Sequence, residues 1–356
     1  MKEKMNEQVN EQTNEQIKKK DFDLLNKMKN LPGGLVIIPL VIAVLLATFV
    51  PQVFQIGGYV TALFYEGNAC MMGFFLIVCG ASINIRQVGM PLYKGVVMTS
   101  VKFVLGVIFG LAVGKICGPA GFLGITPFVM IAAITNSNSS LYISLSSQFG
   151  NATDTGAVSI LALNDGPFFT LVALGATGLA SIPFMSLVAT IVPILIGFIW
   201  GNLDEGFKKA CATAQPIVTF FMTISIGAKT DITTILKAGA SGIVLGLISA
   251  ATAVIFFYVV NIFLPKKEKN AMGAAIGTTA LNSAMTPAAV AEADPTMAPY
   301  VDMATAQCAT ASIITLFLIP FITAFFDKVM QKKQKGIYSP EGWAHYKVAG
   351  EAAEEA

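Results

Sequence analysis

Between Ala132 and Gln148 the chain reads AAITNSNSSLYISLSSQ, an otherwise apolar neighbourhood that carries Thr135, Asn136, Ser137, Asn138, Ser139 and Ser140 in succession. Short polar side chains hydrogen-bond their own backbone and compete with the helical ladder, so this block predicts a place where a helix opens. In a bilayer, non-helical backbone is tolerated only where protein buries it or where it lines a watery cavity. A second segment of the same kind runs from Ala271 to Ala291, AMGAAIGTTALNSAMTPAAVA, with Gly277, Thr278, Thr279, Asn282, Ser283 and the breaker Pro287. The pairs Asn138-Ser139 and Asn282-Ser283 stand 144 positions apart (282 less 138), which points to two copies of one unit. Small polar residues also enrich ordinary helix contacts in membranes. Two interrupted segments at matching places in two halves point instead to a transport site.

That a bilayer is the setting follows from charge. Of 356 residues, 54% are hydrophobic and 12% are charged, against about 25% charged in a soluble domain. Lipid is therefore the surrounding partner, and with a net charge of +2 and no basic patch nothing indicates a nucleic acid. Five cysteines (Cys70, Cys79, Cys117, Cys211, Cys308) show no CxxC spacing, so neither a metal site nor a disulfide framework is indicated.

Ten spans are predicted, at about 35–50, 59–83, 95–117, 122–148 (broken), 155–177, 182–201, 212–228, 239–264, 271–293 (broken) and 303–326. Residues 1–30 form a polar N-terminal tail with three NEQ repeats and Lys18, Lys19 and Lys20; residues 329–356, with the single His345, form a C-terminal one. An even number of crossings puts both ends on one side. Arg86, Lys94, Lys208, Lys209, Lys266, Lys267, Lys269 and the lysines from Lys328 to Lys335 then fall on that side, which the excess of cations marks as cytoplasmic. GASINIRQVG (80–89) matches GAKTDITTIL (227–236), with Asn84 on Asp231 and Ile85 on Ile232; Asn68 falls on Gln215 and Pro39 near Pro193. Halves at 31–178 and 179–328, each with five spans, must enter the membrane from opposite sides, as inverted repeats do.

No phosphate-binding loop, GxSxG, HExxH or Cys/His pairing appears, so ATP hydrolysis and a membrane enzyme are not indicated and no cofactor is called for. Ionisable residues inside spans are costly and hence candidates for function. They are Glu66, Lys102, Asp165 and Glu292. Lys102, about two turns inside, is expected to reach the inner surface along its aliphatic stem. Asp165, in LALNDGPFF, is expected in the middle of the fifth span.

These residues resemble the 2-keto-3-deoxygluconate permease family, in the bile acid/arsenite/riboflavin transporter superfamily. The likeness runs from Leu31-Pro32-Gly33-Gly34 to about Phe325. It includes GASI (80–83), Asn138 with Leu141-Tyr142, Gly166-Pro167, Gly201-Asn202-Leu203-Asp204, and Thr286-Pro287 with Ala291-Glu292. Two places depart from that pattern: Ser139-Ser140 stands where two glycines are usual, and Asn164 where a glutamate is usual, which displaces the carboxylate to Asp165. The resemblance implies an all-α membrane protein of ten transmembrane helices in two inverted five-helix repeats. Broken fourth and ninth helices cross in a core domain (spans 3 to 5 and 8 to 10) beside a panel domain (spans 1, 2, 6 and 7). It also implies proton-coupled uptake of 2-keto-3-deoxygluconate by alternating access across a bacterial cytoplasmic membrane. A sodium-coupled symporter of another small organic anion and a binding-only membrane sensor are the rivals; no signalling domain is visible after Lys335.

The expected substrate contacts lie on the two breaks: Asn136, Asn138, Ser139, Ser140, Thr279, Asn282 and Ser283. Amides and hydroxyls suit sugar hydroxyls, and half-helix N-termini suit a carboxylate. Asp165, Glu292 and Glu66 are the candidates to carry a coupled proton. Gly80 and Gly227, at equivalent places in the repeat, are expected where panel meets core.

Overall fold

The computed structural model of the chain describes residues 27–28, 34–84, 89–229 and 232–342. The NEQ repeats, Lys18 to Lys20, Leu31 to Gly33, Ile85, Arg86, Asp231 and His345 lie outside the described residues. Described residues form helices: α1 (Gly34–Phe49), α2 (Gly58–Phe64), α3 (Asn68–Ser82), α4 (Met90–Cys117), α5 (Pro127–Thr135), α6 (Ser139–Phe149) and α7 (Ala152–Leu161). There follow α8 (Phe168–Thr177), α9 (Phe184–Leu203), α10 (Glu205–Gly227), α11 (Ile232–Phe263), α12 (Met272–Ala275), α13 (Thr286–Ala293) and α14 (Val301–Lys332). By length and composition α4, α9, α10, α11 and α14 can each cross a membrane. Seven such crossings result if two bent pairs count as one span each: α2 with α3, bent by 55°, and α7 with α8, bent by 58°.

Local chemistry sets where these helices begin. Thr126 Oγ1 accepts from the Val129 N–H at 3.3 Å ahead of Pro127, and Asn138 Oδ1 accepts from the Leu141 N–H at 3.0 Å. Asp204 Oδ1 takes the N–H groups of Gly206 and Phe207 at 2.8 and 3.2 Å. That cap starts α10 at Glu205, upstream of the expected residue 212, so Lys208 and Lys209 belong to a helix rather than to a loop. At the opposite end of the chain α14 continues to Lys332, and the Ile337 N–H donates to Lys269 O at 3.0 Å, which folds residues 336–338 back onto the helices. Asp294, between α13 and α14, accepts from the Thr296 hydroxyl at 2.6 Å and from the Ser181 N–H at 2.6 Å. These donors hold its carboxyl below the usual carboxylate range.

Two groups of helices emerge from the packing. In one, α3 lies against α9 and α10, and α10 against α1; in the other, α4 lies against α5 and α7, and α11 against α14. The seam between α3 and α9 is backbone on backbone. A Cβ on Gly80 would overlap Ile194 O, and one on Gly197 would overlap Ile77 O. Only residues without a Cβ allow that approach. On the far side, a Cβ on Gly227 would come within 2.7 Å of Ala43 Cβ and 2.8 Å of Leu40 O. Gly80 and Gly227 therefore do not stand at a boundary between the groups, as their sequence had led us to expect. Both are packing contacts inside the first group.

Lys94 also departs from expectation. It opens α4 fully buried, with Nζ 2.9 Å from Asp154 Oδ1 and 3.0 Å from Glu268 Oε2, so it is no free loop cation. Asn270 Nδ2 donates to Asp154 Oδ2 at 2.6 Å, and Asn151 Oδ1 accepts from Lys94 at 3.3 Å. The cluster joins α4, α7 and the 266–268 turn, far apart in sequence, at one buried point.

Two stability measurements in detergent check this packing. Lys94→Met strands two buried carboxylates and is expected to cost about 3–5 kcal/mol, while the triple neutralisation Lys94→Met/Asp154→Asn/Glu268→Gln should cost less than the single change. Gly80→Leu forces overlap with α9 and should lower stability by about 1–3 kcal/mol, with binding and transport falling together. Slowed transport at unchanged stability would return Gly80 to a moving boundary.

Candidate functional site

Three interruptions of helix meet in one place. The first is Asn136 to Asn138, between α5 and α6, where Asn136 is extended at φ −76°, ψ 143°. The second continues α7 as a 3-10 turn over Ala162–Asn164 and then passes through Asp165, Gly166 and Pro167 to α8. The third lies between α12 and α13, where residues 276–280 are non-helical and Leu281–Ala284 form a 3-10 turn.

Each interruption satisfies the backbone of another. The Ser137 N–H donates to Asn164 O at 3.1 Å, and Asn164 Nδ2 donates to Thr135 O and, at 3.1 Å, to Ser137 Oγ. Asn282 Nδ2 donates to Asp165 O. Asn136 Nδ2 reaches Ala132 O at 2.8 Å, Thr170 Oγ1 at 3.3 Å and Thr286 Oγ1 at 3.3 Å, which links α5, α8 and α13. Within the third interruption Ala280 O accepts from both Ser283 Oγ and Ser312 Oγ at 2.6 Å, and the Thr279 N–H donates to Thr315 Oγ1 at 3.1 Å.

Four polar atoms in this cluster are buried without a hydrogen bond: Asn136 Oδ1, Ser139 Oγ, Thr279 Oγ1 and Asp165 Oδ1. Such atoms are uncommon in folded proteins. Asp165 faces both the N–H and the hydroxyl side of Ser139, yet Oδ1 ends without a partner. Asn138 and Asn282 are half-buried, in contrast to the buried Asn136, Ser139, Thr279 and Ser283 around them. The side chain of Ser140 lies outside the described part.

Lys102 contradicts its expected path to the inner surface. Its side chain is fully buried and donates to Ile276 O and, at 2.7 Å, to Thr278 O. Main-chain carbonyls freed by the third interruption hold the ammonium more firmly than a distant interface would. The other carboxylates do not join the cluster. Glu66 is exposed in the turn between α2 and α3, and Glu292, in the last turn of α13, faces Asn68 and Lys229.

Residues outside the expected substrate contacts complete the arrangement: Thr170, Ser312 and Thr315, which sequence reasoning had passed over, and Asn164, Thr286 and Lys102, which it had named in other connections. The breaker pair Gly166-Pro167 is the signal that would have opened the fifth span, which had been read as straight. Ser312 and Thr315, three residues apart on one face of α14, mark that face as polar.

Comparison with known proteins identifies a family. A family model described as 2-keto-3-deoxygluconate permease matches residues 25–332. The chain is 39% identical over 301 residues to 2-keto-3-deoxygluconate permease 1 of Salmonella typhimurium, a match covering 85% of this chain and 94% of that one. It is 30% identical over 319 residues to the 2-keto-3-deoxygluconate permease of Bacillus subtilis, covering 88% and 96% of the two. With the family pattern spanning nearly all of its helices, the chain belongs to the 2-keto-3-deoxygluconate permease family and is a multi-pass membrane transporter, not an enzyme.

Proposed function

We propose that the chain carries 2-keto-3-deoxygluconate, a small sugar-acid anion, across a bacterial inner membrane by alternating access and in symport with a proton. The observation that carries this reading is the convergence of three helix interruptions on a cluster with four unpaired buried polar atoms. The half-buried amides of Asn138 and Asn282 offer hydrogen bonds to sugar hydroxyls. The family membership supplies the substrate, since relatives bear its name.

The architecture belonging to this reading is two inverted five-helix repeats, 31–178 and 179–328, with both termini in the cytoplasm. Three pairs of contacts support it. Gly80 packs on Ile194 as Gly227 packs on Leu40, so each half lends a helix to the other. Gly106 crowds Thr135 as Gly277 crowds Ala253, the same crossing with the roles exchanged. Asn151 caps the residues ending at Thr153 as Asp294 caps those ending at Thr296. The group of α1, α3, α9 and α10 is then the panel, and the group containing α4, α5, α7, α11 and α14 is the core that moves against it.

Asp165 is the carboxylate placed to carry the proton, where the panel helix α3 meets the 162–164 turn. Lys102 and Asp165 act on each other electrostatically. While Asp165 is protonated, the Lys102 charge is left to favour an anion bound at the crossing. Loss of the proton returns a negative charge to Asp165 and repels the substrate.

Asn138→Ala and Asn282→Ala are each expected to weaken binding roughly 5- to 100-fold, or about 1–3 kcal/mol, by calorimetry in detergent. Asn138→Ser retains the cap on α6 and separates that loss from the ~1 kcal/mol of helix stability that a lost cap costs. Unchanged affinity in both alanine variants would remove the crossing as the site. Asp165→Asn mimics the protonated state: in proteoliposomes it should bind substrate with weakened pH dependence and fail to concentrate it. Accumulation equal to the parent under a pH gradient alone would move the proton to Glu292, and accumulation driven only by sodium would favour the sodium-coupled alternative.

A further inference from the structure

The non-helical residues 276–280 turn two main-chain carbonyls, those of Ile276 and Thr278, onto an ammonium that reaches them from α4. Lys102 is fully buried, and its Nζ also lies 5.5 Å from the centre of the Phe256 ring. Asp165 is the carboxylate on which its charge acts. Thr279 Oγ1, adjacent in sequence to one of the carbonyls, and Asp165 Oδ1 are both buried without a hydrogen bond.

Carbonyl oxygens turned into a dry place are ligands that a hard cation takes. In transporters with interrupted helices, unwound backbone carbonyls are the groups that coordinate the coupling cation. Here a cation already occupies the carbonyls, and it is covalently attached to the chain. Lysine suits the place because its ammonium is a compact charge with three donors on a flexible stem, unlike the planar fork of arginine.

We propose that Lys102 determines the ion specificity of this transporter: its ammonium is a tethered cation in the position of a free alkali ion, so the chain works without sodium. Removing the ammonium opens a monovalent-cation site built on the carbonyls of Ile276 and Thr278. The substrate measured in transport rests on the function proposed above; the cation site itself does not.

The test uses the purified full chain and needs substrate in only one of its arms. Thermal unfolding of the parent in sodium, lithium and choline chloride at equal ionic strength should give one midpoint. Lys102→Ala should unfold early in choline and be raised, saturably, by sodium or lithium. In proteoliposomes the parent should take up 2-keto-3-deoxygluconate equally in sodium and choline, while Lys102→Ala should take it up at least ~10-fold faster in sodium, about 1.4 kcal/mol. A sodium requirement in the parent would overturn the proposal, as would a folded Lys102→Ala chain that no cation affects. Lys102→Ala and Lys102→Ser chains that stay unfolded in sodium as in choline would also overturn it, because refilling the site should restore the fold. A parent that takes up none of this sugar acid in any salt refutes the substrate instead, and the unfolding arm still judges Lys102.

Discussion

Everything at the centre of this protein follows from the demand that backbone polar groups be satisfied where no water can do it. An intact helix meets that demand within itself, whereas each break frees N–H and C=O groups that cost several kcal/mol apiece if left alone in hydrocarbon. The interruptions at 136–138, 162–167 and 276–285 meet it collectively. Asn164 serves the first from the second, Asn282 serves the second from the third, and Lys102 and Ser312 serve the third from continuous helices. The first and second breaks lean on other breaks, and the third leans on α4 and α14. Hydrogen bonds shared in this way polarise and reinforce one another.

Two of the three breaks were legible in the sequence because they are written in residues that compete with a helix through their own side chains: Thr135 to Ser140 and Thr278 to Ser283. The break beyond Leu161 was not, because Ala162 and Leu163 are ordinary helix residues and the disruption is confined to Gly166-Pro167 and to what Asn164 can bond in the folded chain. Of the residues expected on the breaks, Asn136, Ser139, Thr279 and Ser283 are buried. What one dimension concealed was partnership at long range. Depth along α4 suggested a path to the surface for Lys102, and position just ahead of the expected span at 95–117 suggested a loop for Lys94. Both fates were decided by residues more than fifty positions away: Ile276 and Thr278 for the first, Asp154 and Glu268 for the second. Helix starts showed the same limit on a smaller scale, as Asp204 extended α10 past the end of its apolar pattern.

The contact of α3 with α9 through Gly80 and Gly197, and of α10 with α1 through Gly227, has a consequence for how the chain is made. A helix whose meeting face is bare backbone gains little by turning that face to lipid and much by closing it against a partner. The partner of Gly80 is Ile194, more than a hundred residues later, and the partner of Leu40 and Ala43 is Gly227, later still. During synthesis, therefore, α1 and α3 must wait in the membrane, unpaired along these faces, until α9 and α10 arrive. The glycine seams tie the completion of α1 and α3 to helices made more than a hundred residues later.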